Sequence, residues 1–276
     1  MANDLISNYT ALYSPLDITY NNAMSGNYEN LSMVDYNIKS DTIDGEMVSG
    51  LKGDKITGYW RPVICFGNDN FQREQIKRLY DICPDIYYQD YLINGSVSVI
   101  SRFLLGMGYK ARPYYTQIID LTKTKEELHA DLRKSYKSLI YKYPVYNCTT
   151  KPIRDLHFKL RGKTRPDETW EIQERMILNS QAFVLASGKV GLLTMEANAT
   201  AMVYYNKDWA YYACGASEID SHHVIWSCIL KAKELGCKWF EMGEQKFNGS
   251  EKEKNISIFK SGYGGKTIAR LNLTKE

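Results

Sequence analysis

The sequence predicts an α+β fold in which a mixed sheet is flanked by helices. Three β segments follow one another between residues 181 and 205 with short connections, as in an antiparallel meander. After Cys214 the pattern changes to a helix at 221–235 and a buried strand at 238–242. A strand, helix and strand of this size predict a right-handed crossover between parallel strands, so the meander runs into one βαβ unit.

The first 112 residues carry weaker signals. Residues 1–50 are rich in Asn, Ser, Asp and Tyr, and their periodicity is too weak to assign elements. β-branched and aromatic residues predict strands at 55–66 and 85–91. Apolar residues at helical spacing predict helices at 71–82 and 97–105, and glycines follow the second.

β-branched and aromatic residues predict a strand at 114–121, and a helix with a start signal follows it. Thr124 and Glu127 have the spacing of a capping box. Apolar residues at steps of three and four predict that this helix continues to Tyr143, where Pro144 ends it.

The opposite face of this helix is basic and carries Arg133, Lys134 and Lys137. Such a face is either a solvated surface or a ridge that contacts phosphate or tRNA. The remaining elements are a loop or short helix at 155–163, a helix at 166–179, strands at 181–186, 189–195, 200–205 and 209–214, and tight turns at 187–188 and 206–208.

Composition indicates a cytoplasmic globular protein of 276 residues, with 44% hydrophobic and 24% charged residues. The formal net charge of +3 is too small to indicate nucleic-acid binding by itself. The first residues lack the basic start and apolar run of a signal peptide, and no stretch approaches the ~18 apolar residues of a membrane span.

Metal-binding patterns are absent from the sequence. The six cysteines are scattered without a C-x-x-C pair, which predicts reduced thiols, and the four histidines show no H-x-x-x-H spacing. His222 and His223, at the start of the crossover helix, are interpreted as capping or surface residues.

The end of the chain combines a cation, aromatic rings and glycines. After the buried strand comes a polar loop at 244–255 and then Phe259-Lys260-Ser261-Gly262-Tyr263-Gly264-Gly265. Lysine can anchor a phosphate or carboxylate, and glycines let backbone approach a ligand. Lys260, Tyr263 and Gly264 are therefore candidate substrate-binding residues; the alternatives are a surface lysine and a tight turn.

Four stretches resemble one known family. They are residues 115–121 with the helix after them (YTQIIDL and EEL), 188–191 (GKVG), 211–217 (YYACGAS) and 258–265 (IFKSGYGG). Their order and spacing resemble the GNAT acyltransferases, in particular the Fem-like branch, whose members add amino acids to peptidoglycan precursors.

The resemblance covers residues 113–276 and implies a GNAT-like acyltransferase domain there. Fem proteins contain two GNAT-like lobes. By that resemblance, residues 1–112 are an N-terminal lobe that is a reduced, degenerate GNAT-like half.

The family likeness implies transfer of an acyl group, acetyl or aminoacyl, from acyl-CoA or aminoacyl-tRNA to an amine. The acceptor would be a small or nucleotide-linked sugar or peptide of cell-envelope biosynthesis. Tyr212 and Arg133 join the substrate-binding candidates. Backbone groups between two splayed parallel strands would hydrogen-bond the developing oxyanion.

The acceptor amine must lose a proton before it attacks, because an alkyl ammonium has a pKa near ~10. Glu241, in the apolar strand Trp239–Met242, is the first candidate for this role, since burial makes a carboxylate a stronger proton acceptor. Glu244, just after the strand, is the second, and Glu196 and Asp220 are weaker candidates. Alternatively, Glu241 faces solvent from a half-buried strand.

The donor site would involve Gly215, Ala216 and Ser221, just before and at the start of the crossover helix. Ordinary GNAT enzymes have a glycine-rich loop here that holds the CoA pyrophosphate. The stretch in this chain contains Glu218 and Asp220, and carboxylates are poor neighbours for a pyrophosphate.

Two other functions fit the same sequence. One is a non-catalytic binding module that retains the GNAT fold, which the two acids favour. The other is nucleic-acid binding through Arg133, Lys134 and Lys137, which would be salt-dependent.

Overall fold

The computed structural model describes residues 33–35, 38–39, 45–48, 50–52, 55–57, 62–92, 95–163, 165, 167–190 and 195–275. The chain divides into two compact units. The first consists of residues 1–115 with 269–276, and the second of residues 116–268. The prediction that residues 1–112 form a degenerate GNAT half stays a prediction.

The described part of the first unit contains two small antiparallel sheets and two helices. One sheet has the order β1-β4-β5 and the other β2-β3-β6. The elements are β1 (Met33–Asp35), β2 (Ile38–Lys39), β3 (Gly45–Val48), β4 (Gly50–Lys52), β5 (Lys55–Thr57), β6 (Ile64–Gly67), α1 (Asp69–Ile82), β7 (Tyr88–Asp90) and α2 (Val99–Gly106).

Both predicted helices of this unit are present, and each has a side-chain cap. The Asn68 side chain accepts from the Phe71 N–H at the start of α1, and the Ser98 side chain accepts from the Ser101 N–H at the start of α2. Strand β7 pairs antiparallel with residues 271–273 near the chain's end. Residues 58–61 of the strand predicted at 55–66 lie outside the described residues.

The second unit is a mixed sheet with helices packed on it, as the sequence predicts. Its strand order is β14-β8-β13-β12-β11-β10-β9, and strands β8 and β14 each have residues in both units. The elements are β8 (Lys110–Asp120), α3 (Lys125–Asp131), a 3-10 turn (Lys134–Tyr136), β9 (Tyr146–Cys148), α4 (Thr150–Arg161), α5 (Asp167–Leu178), β10 (Ala182–Val190), β11 (Met195–Tyr205), β12 (Trp209–Ser217), α6 (His222–Glu234), β13 (Trp239–Gln245), α7 (Glu251–Ser261) and β14 (Lys266–Thr274).

The meander and the crossover are both confirmed. Strands β10, β11 and β12 pair antiparallel, and β12 pairs parallel with β13 through the α6 crossover. α6 buries an apolar stripe that includes Ile225, Cys228 and Ile229 in the main core of this unit.

The helix predicted to reach Tyr143 is wrong in its length. α3 has the predicted capping box but ends at Asp131, and Leu132 is extended. The Arg133 N–H then donates to the Gly262 carbonyl oxygen (2.9 Å) instead of continuing the helix. This tertiary hydrogen bond replaces a helical one, so the basic residues that follow are not on one helix face.

Two other local predictions are wrong. The turn predicted at Ser187–Gly188 is a β-bulge inside β10, where Ser187 pairs with Ala199 and Gly188 with Ala197. The polar loop predicted at 244–255 contains the start of α7, which Ser250 and Glu253 cap reciprocally. The segment at 155–163, predicted as a loop or short helix, lies mostly within the longer helix α4.

Candidate functional site

The site is built around the place where β12 and β13 separate. Their parallel pairing joins Trp209, Ala210 and Tyr211 to Trp239, Phe240 and Glu241. Among the described residues the pairing ends there, although β12 continues to Ser217 and β13 to Gln245. Backbone groups of the two strands beyond Tyr211 and Glu241 therefore border an opening in the sheet.

Each strand has an irregularity just after the last pair. On β12 the register with β11 shifts, so Ala213 is an extra residue between Tyr212 and Cys214. On β13, Gly243 has a φ of +75°, a conformation that favours glycine. A bulge and a left-handed residue both bend a strand, which gives the separation a local cause.

The space beside Gly243 is bordered by a phenol and an amine. A β carbon added at Gly243 would lie 3.1 Å from Tyr211 Oη and 3.5 Å from Lys260 Nζ. Lys260 donates from Nζ to the Glu244 carbonyl oxygen (2.7 Å), so the predicted binding lysine lies at the end of β13. The Glu244 side chain itself is exposed.

Glu241 is completely buried on β13, which excludes the alternative of a solvent-facing side chain. Its Oε1 accepts a hydrogen bond of 2.8 Å from the Thr116 hydroxyl on β8. This hydrogen bond partly compensates the carboxylate for the hydrogen bonds to water that it loses on burial. Its predicted role as the proton acceptor stays a prediction.

An aromatic cluster lies where the elements after β12 and β13 meet; we call Tyr136, His222, Phe259 and Tyr263 the mouth cluster. The His222 ring centroid lies 4.1 Å from that of Tyr136, 5.0 Å from Phe259 and 6.1 Å from Tyr263. α6 follows β12 and α7 follows β13, so this cluster connects the elements that leave the two separating strands.

Tyr263, a predicted substrate-binding residue, is buried in the mouth cluster. Burial raises its pKa well above the usual value, so the phenol is neutral at physiological pH. Its hydroxyl lies 3.5 Å from the His222 carbonyl oxygen. Burial also raises the pKa of Tyr136.

Asp220 holds the His222 ring from outside the aromatic cluster. Its Oδ1 contacts the ring Nδ1 and also accepts from the His222 backbone N–H (3.3 Å). Burial alone would raise the pKa of Asp220, but the hydrogen bonds and charge of His222 outweigh it and lower the pKa. Asp220 is therefore ionised at neutral pH.

Arg133 and Gly264 are both predicted to bind substrate. In the structure they form hydrogen bonds that involve backbone carbonyl oxygens in and just after α7. The Arg133 guanidinium donates to the Ile258 carbonyl oxygen (3.1 Å), and its charge lies 5.3 Å from the Tyr136 ring centre. The Gly264 carbonyl oxygen accepts from Gln117 Nε2 (2.6 Å), and Gly264 has a φ of +83°. Both residues hold the segment that carries Phe259 and Tyr263.

The predicted donor loop is mostly strand. Gly215 and Ala216 lie inside β12 and pair with Ala201 and Thr200, because the antiparallel pairing with β11 continues to Ser217. The ring of Tyr212, another predicted binding residue, lies over Gly215. Burial raises the pKa of the Tyr212 phenol, which is therefore neutral.

The start of α6 does not fit a pyrophosphate. Ser221 occupies the N-cap position without a capping bond from its side chain. The His222 N–H already donates to the Asp220 carboxylate, and Glu218 forms an ion pair with Lys159 (2.7 Å). Two carboxylates at this helix end would repel an anionic group.

His223 is fully buried, so its interpretation as a surface residue is wrong. Ser187 Oγ lies 2.6 Å from His223 Nε2, and the Tyr143 ring packs against the imidazole. Burial lowers the pKa of His223, which is neutral at physiological pH.

Neither Tyr211 nor His222 is among the residues that the sequence predicts at the site. Tyr211 belongs to the YYACGAS stretch, in which Tyr212 is the predicted binding residue. Asp220 is a weaker sequence candidate, and an aspartate two residues before a histidine at a helix start is the local signal that pairs it with His222.

No group of three or more His, Cys, Asp or Glu that could hold a metal occurs in the described part of the chain. Within the same residues, no helix is long and apolar enough to span a bilayer.

No protein-family model and no curated protein sequence matches this chain. Several solved structures do match it. FemX aligns with a TM-score of 0.65 at 10% identity, over 91% of this chain and 90% of its own. The C-terminal domain of a putative lysylphosphatidylglycerol synthetase from Agrobacterium fabrum aligns with a TM-score of 0.55 at 13% identity, over 88% and 84%.

A tandem GNAT protein from the clavulanic acid biosynthesis pathway aligns with a TM-score of 0.52 at 12% identity, over 88% of this chain and 82% of its own. At such identities the likeness shows the fold alone. The order of strands, the parallel pair and the crossover helix agree with that likeness. The chain therefore has the α+β GNAT fold, which it shares with these structures.

Proposed function

We propose that this protein is an N-acyltransferase that transfers an acyl group, acetyl or aminoacyl, from an activated donor to an amine. The observation that carries the proposal is the separation of β12 and β13 after Tyr211 and Glu241. Beyond that point, backbone groups that would otherwise pair across the sheet are available to a ligand.

These backbone groups suit acyl transfer. The attack of an amine on a thioester or ester places negative charge on the carbonyl oxygen, and an N–H aimed at that oxygen stabilises it. One such donor is typically worth about 2.7–4 kcal/mol. The acyl group would lie in the opening, near Tyr211 and Lys260.

The acceptor is proposed to be an amine of a cell-envelope sugar or peptide precursor. Support comes from the likeness to FemX and to the lysylphosphatidylglycerol synthetase domain. The donor is either acyl-CoA or aminoacyl-tRNA. The two carboxylates at the start of α6 weigh against a CoA pyrophosphate in that place.

The experiment is a transfer assay with purified protein. Labelled acetyl-CoA and labelled aminoacyl-tRNAs are each incubated with amino-sugar nucleotides and amine-bearing muropeptides, and N-acylated product is measured by mass spectrometry. We expect product with one donor class. Absence of product with every pair, together with no shift in melting temperature on adding CoA, would contradict the proposal.

Glu241→Gln and Lys260→Ala are each expected to lower the transfer rate at least tenfold. Glutamine keeps an acceptor for Thr116 but removes the carboxylate at the last pair before the strands separate, and alanine removes the amino group beside Gly243. The measurement is kcat/KM for the pair found above. Glu251→Gln and Lys254→Ala, both exposed on α7, are the matched controls. Normal turnover by both site variants would show that these residues are wrongly assigned.

A non-catalytic binding module is the second candidate function. The observation that favours it is the occupation of the α6 start by Asp220 and Glu218, where GNAT enzymes would hold a donor. In that case a ligand binds in the opening without turnover. Calorimetry with the same amines would show binding, while the transfer assay would show no product.

A further inference from the structure

The mouth cluster contains a carboxylate–imidazole pair that the proposed function does not use. Asp220 Oδ1 contacts Nδ1 of His222, and three aromatic rings surround the imidazole. In a neutral imidazole whose Nδ1–H faces a carboxylate, Nε2 carries the lone pair that accepts a proton. Contact with a carboxylate is how such a tautomer is held.

We propose that His222 is the residue that takes the proton from the acceptor amine, with Asp220 as the positioning residue that orients it. This assignment rests on the proposed function, because it needs an amine acceptor at the opening. It makes the mouth cluster part of the chemistry.

The position of His222 supports this role. α6 begins five residues after the last residue of β12, and the rings of Phe259 and Tyr263 reach His222 from the end of α7 and the turn after it. Phe259 contacts the His222 ring, and the next residue, Lys260, borders the opening beside Gly243. One end of α7 therefore connects His222 to the opening in which the acyl group would lie.

His222 is partly exposed to solvent, whereas Glu241 is not. The Glu241 side chain has no exposed surface, and Thr116 donates to one of its oxygens. The side chains of His222 and Asp220 retain 15% and 22% of their exposure. A proton acceptor must come within hydrogen-bond reach of the amine, directly or through one water, and partial exposure permits this.

The Asp220 carboxylate would face the imidazolium formed in this step. Asp220, on the same segment, is ionised, and the phenols of Tyr136 and Tyr263 are neutral because burial raises their pKa values. The Phe259 ring that packs against His222 is uncharged, and the chain neighbour His223 is neutral. Arg133 contacts the Tyr136 ring, and Lys142 contributes a weak positive charge at Asp220.

The step balances without another reagent. An N–H proton of the acceptor ammonium moves to His222 Nε2, which becomes an imidazolium beside the Asp220 carboxylate. The freed nitrogen lone pair forms the C–N bond to the acyl carbonyl of the thioester or ester. The C–S or C–O bond to the donor then breaks with its electron pair, and the leaving group takes one of the two protons still on the nitrogen, while the other stays as the amide N–H.

The test compares His222→Gln with the wild type on two acceptors. One is the alkyl amine that gives product in the transfer assay, and the other is its aminooxy analogue, whose nitrogen is already neutral at pH 7. With the alkyl amine we expect a loss of about 100-fold in kcat/KM, the lower end of general base catalysis. With the aminooxy analogue the loss should be under about fivefold, since no proton need be removed before attack.

The pH dependence gives a second reading. For the alkyl amine, the ratio of wild-type to His222→Gln rates should shrink as the pH approaches ~10, where the amine loses its own proton. Asp220→Asn should lose at least tenfold with the alkyl amine and follow the same pattern. His129→Gln, a partly exposed histidine of α3 outside the mouth cluster, is the matched control with an unchanged rate.

The outcomes are distinct. Equal losses on both acceptors would mean a structural role and overturn the assignment, as would normal turnover by His222→Gln. Wild-type protein that makes no product overturns the proposed function together with this assignment. If His222→Gln melts at a lower temperature, Asp220→Asn, which keeps the ring, decides by the same ratio between the two acceptors.

Discussion

Gly265→Ala is expected to destabilise the second unit by about 3 kcal/mol or more. Gly265 has a φ of +84°, which costs a residue with a β carbon about 1–2 kcal/mol. The added carbon would also overlap the Ile118 carbonyl oxygen and lie 2.8 Å from its carbonyl carbon. Backbone cannot rotate away as a side chain can, and overpacking of this kind costs a further ~1–3 kcal/mol.

Gly236→Ala is the matched control for this prediction. Gly236 has nearly the same backbone angle, a φ of +88°, but an added β carbon would have no atom within 4 Å. We expect Gly236→Ala to lower the free energy of unfolding only by the cost of the positive φ, about 1–2 kcal/mol. Urea unfolding followed by tryptophan fluorescence measures both, since Trp170, Trp209, Trp226 and Trp239 all lie in the second unit. Equal losses would show that the contact with Ile118 relaxes freely.

The second unit is expected to lose stability steeply below about pH 6.5. Burial lowers the pKa of His223, and burial with the charges of Arg165 and Arg161 lowers that of His157. In the unfolded chain both rings take up protons near pH ~6.5, while in the folded chain they stay neutral to lower pH. Protons therefore bind the unfolded state first, and the free energy of unfolding falls as the pH falls.

Each histidine can contribute at most about 1.4 kcal/mol per pH unit, and both act in the same direction. The measurement is the free energy of unfolding in urea at pH 7.5, 6.5 and 5.5. The double variant His157→Gln, His223→Gln should show a much smaller fall over this range, because glutamine does not titrate. A fall as steep as in the wild type would assign the effect to other groups.

The parts of the fold that the sequence predicts are those set by local patterns. The crossover helix and the strand after it follow from an apolar stripe, a stop at Gly236 and a buried run. The start of α3 follows from the Thr124 capping box, but its end does not. That end depends on the Arg133 N–H bonding to Gly262, 129 residues further along the chain.

In the candidate site, too, only the residues marked by local sequence patterns are predictable. Glu241 and Lys260 are predictable because the apolar strand and the aromatic–glycine cluster mark their positions. The surroundings of His222 are not, since Tyr136, Phe259 and Tyr263 come from distant segments and meet only in the folded unit. Similarly, Ser187–Gly188 has the composition of a turn, and only the continued pairing with β11 makes it a bulge.

The pairing of β7 with residues 271–273 has a consequence for synthesis of the chain. These residues belong to the first unit, yet the ribosome makes them after the whole of the second. The first unit therefore cannot complete its folding while the second is still being translated. A fragment cut after residue 112 would lack these residues as well as the end of the first unit at Tyr115. Expression of the first unit with all its residues therefore requires both residues 1–115 and residues 269–276.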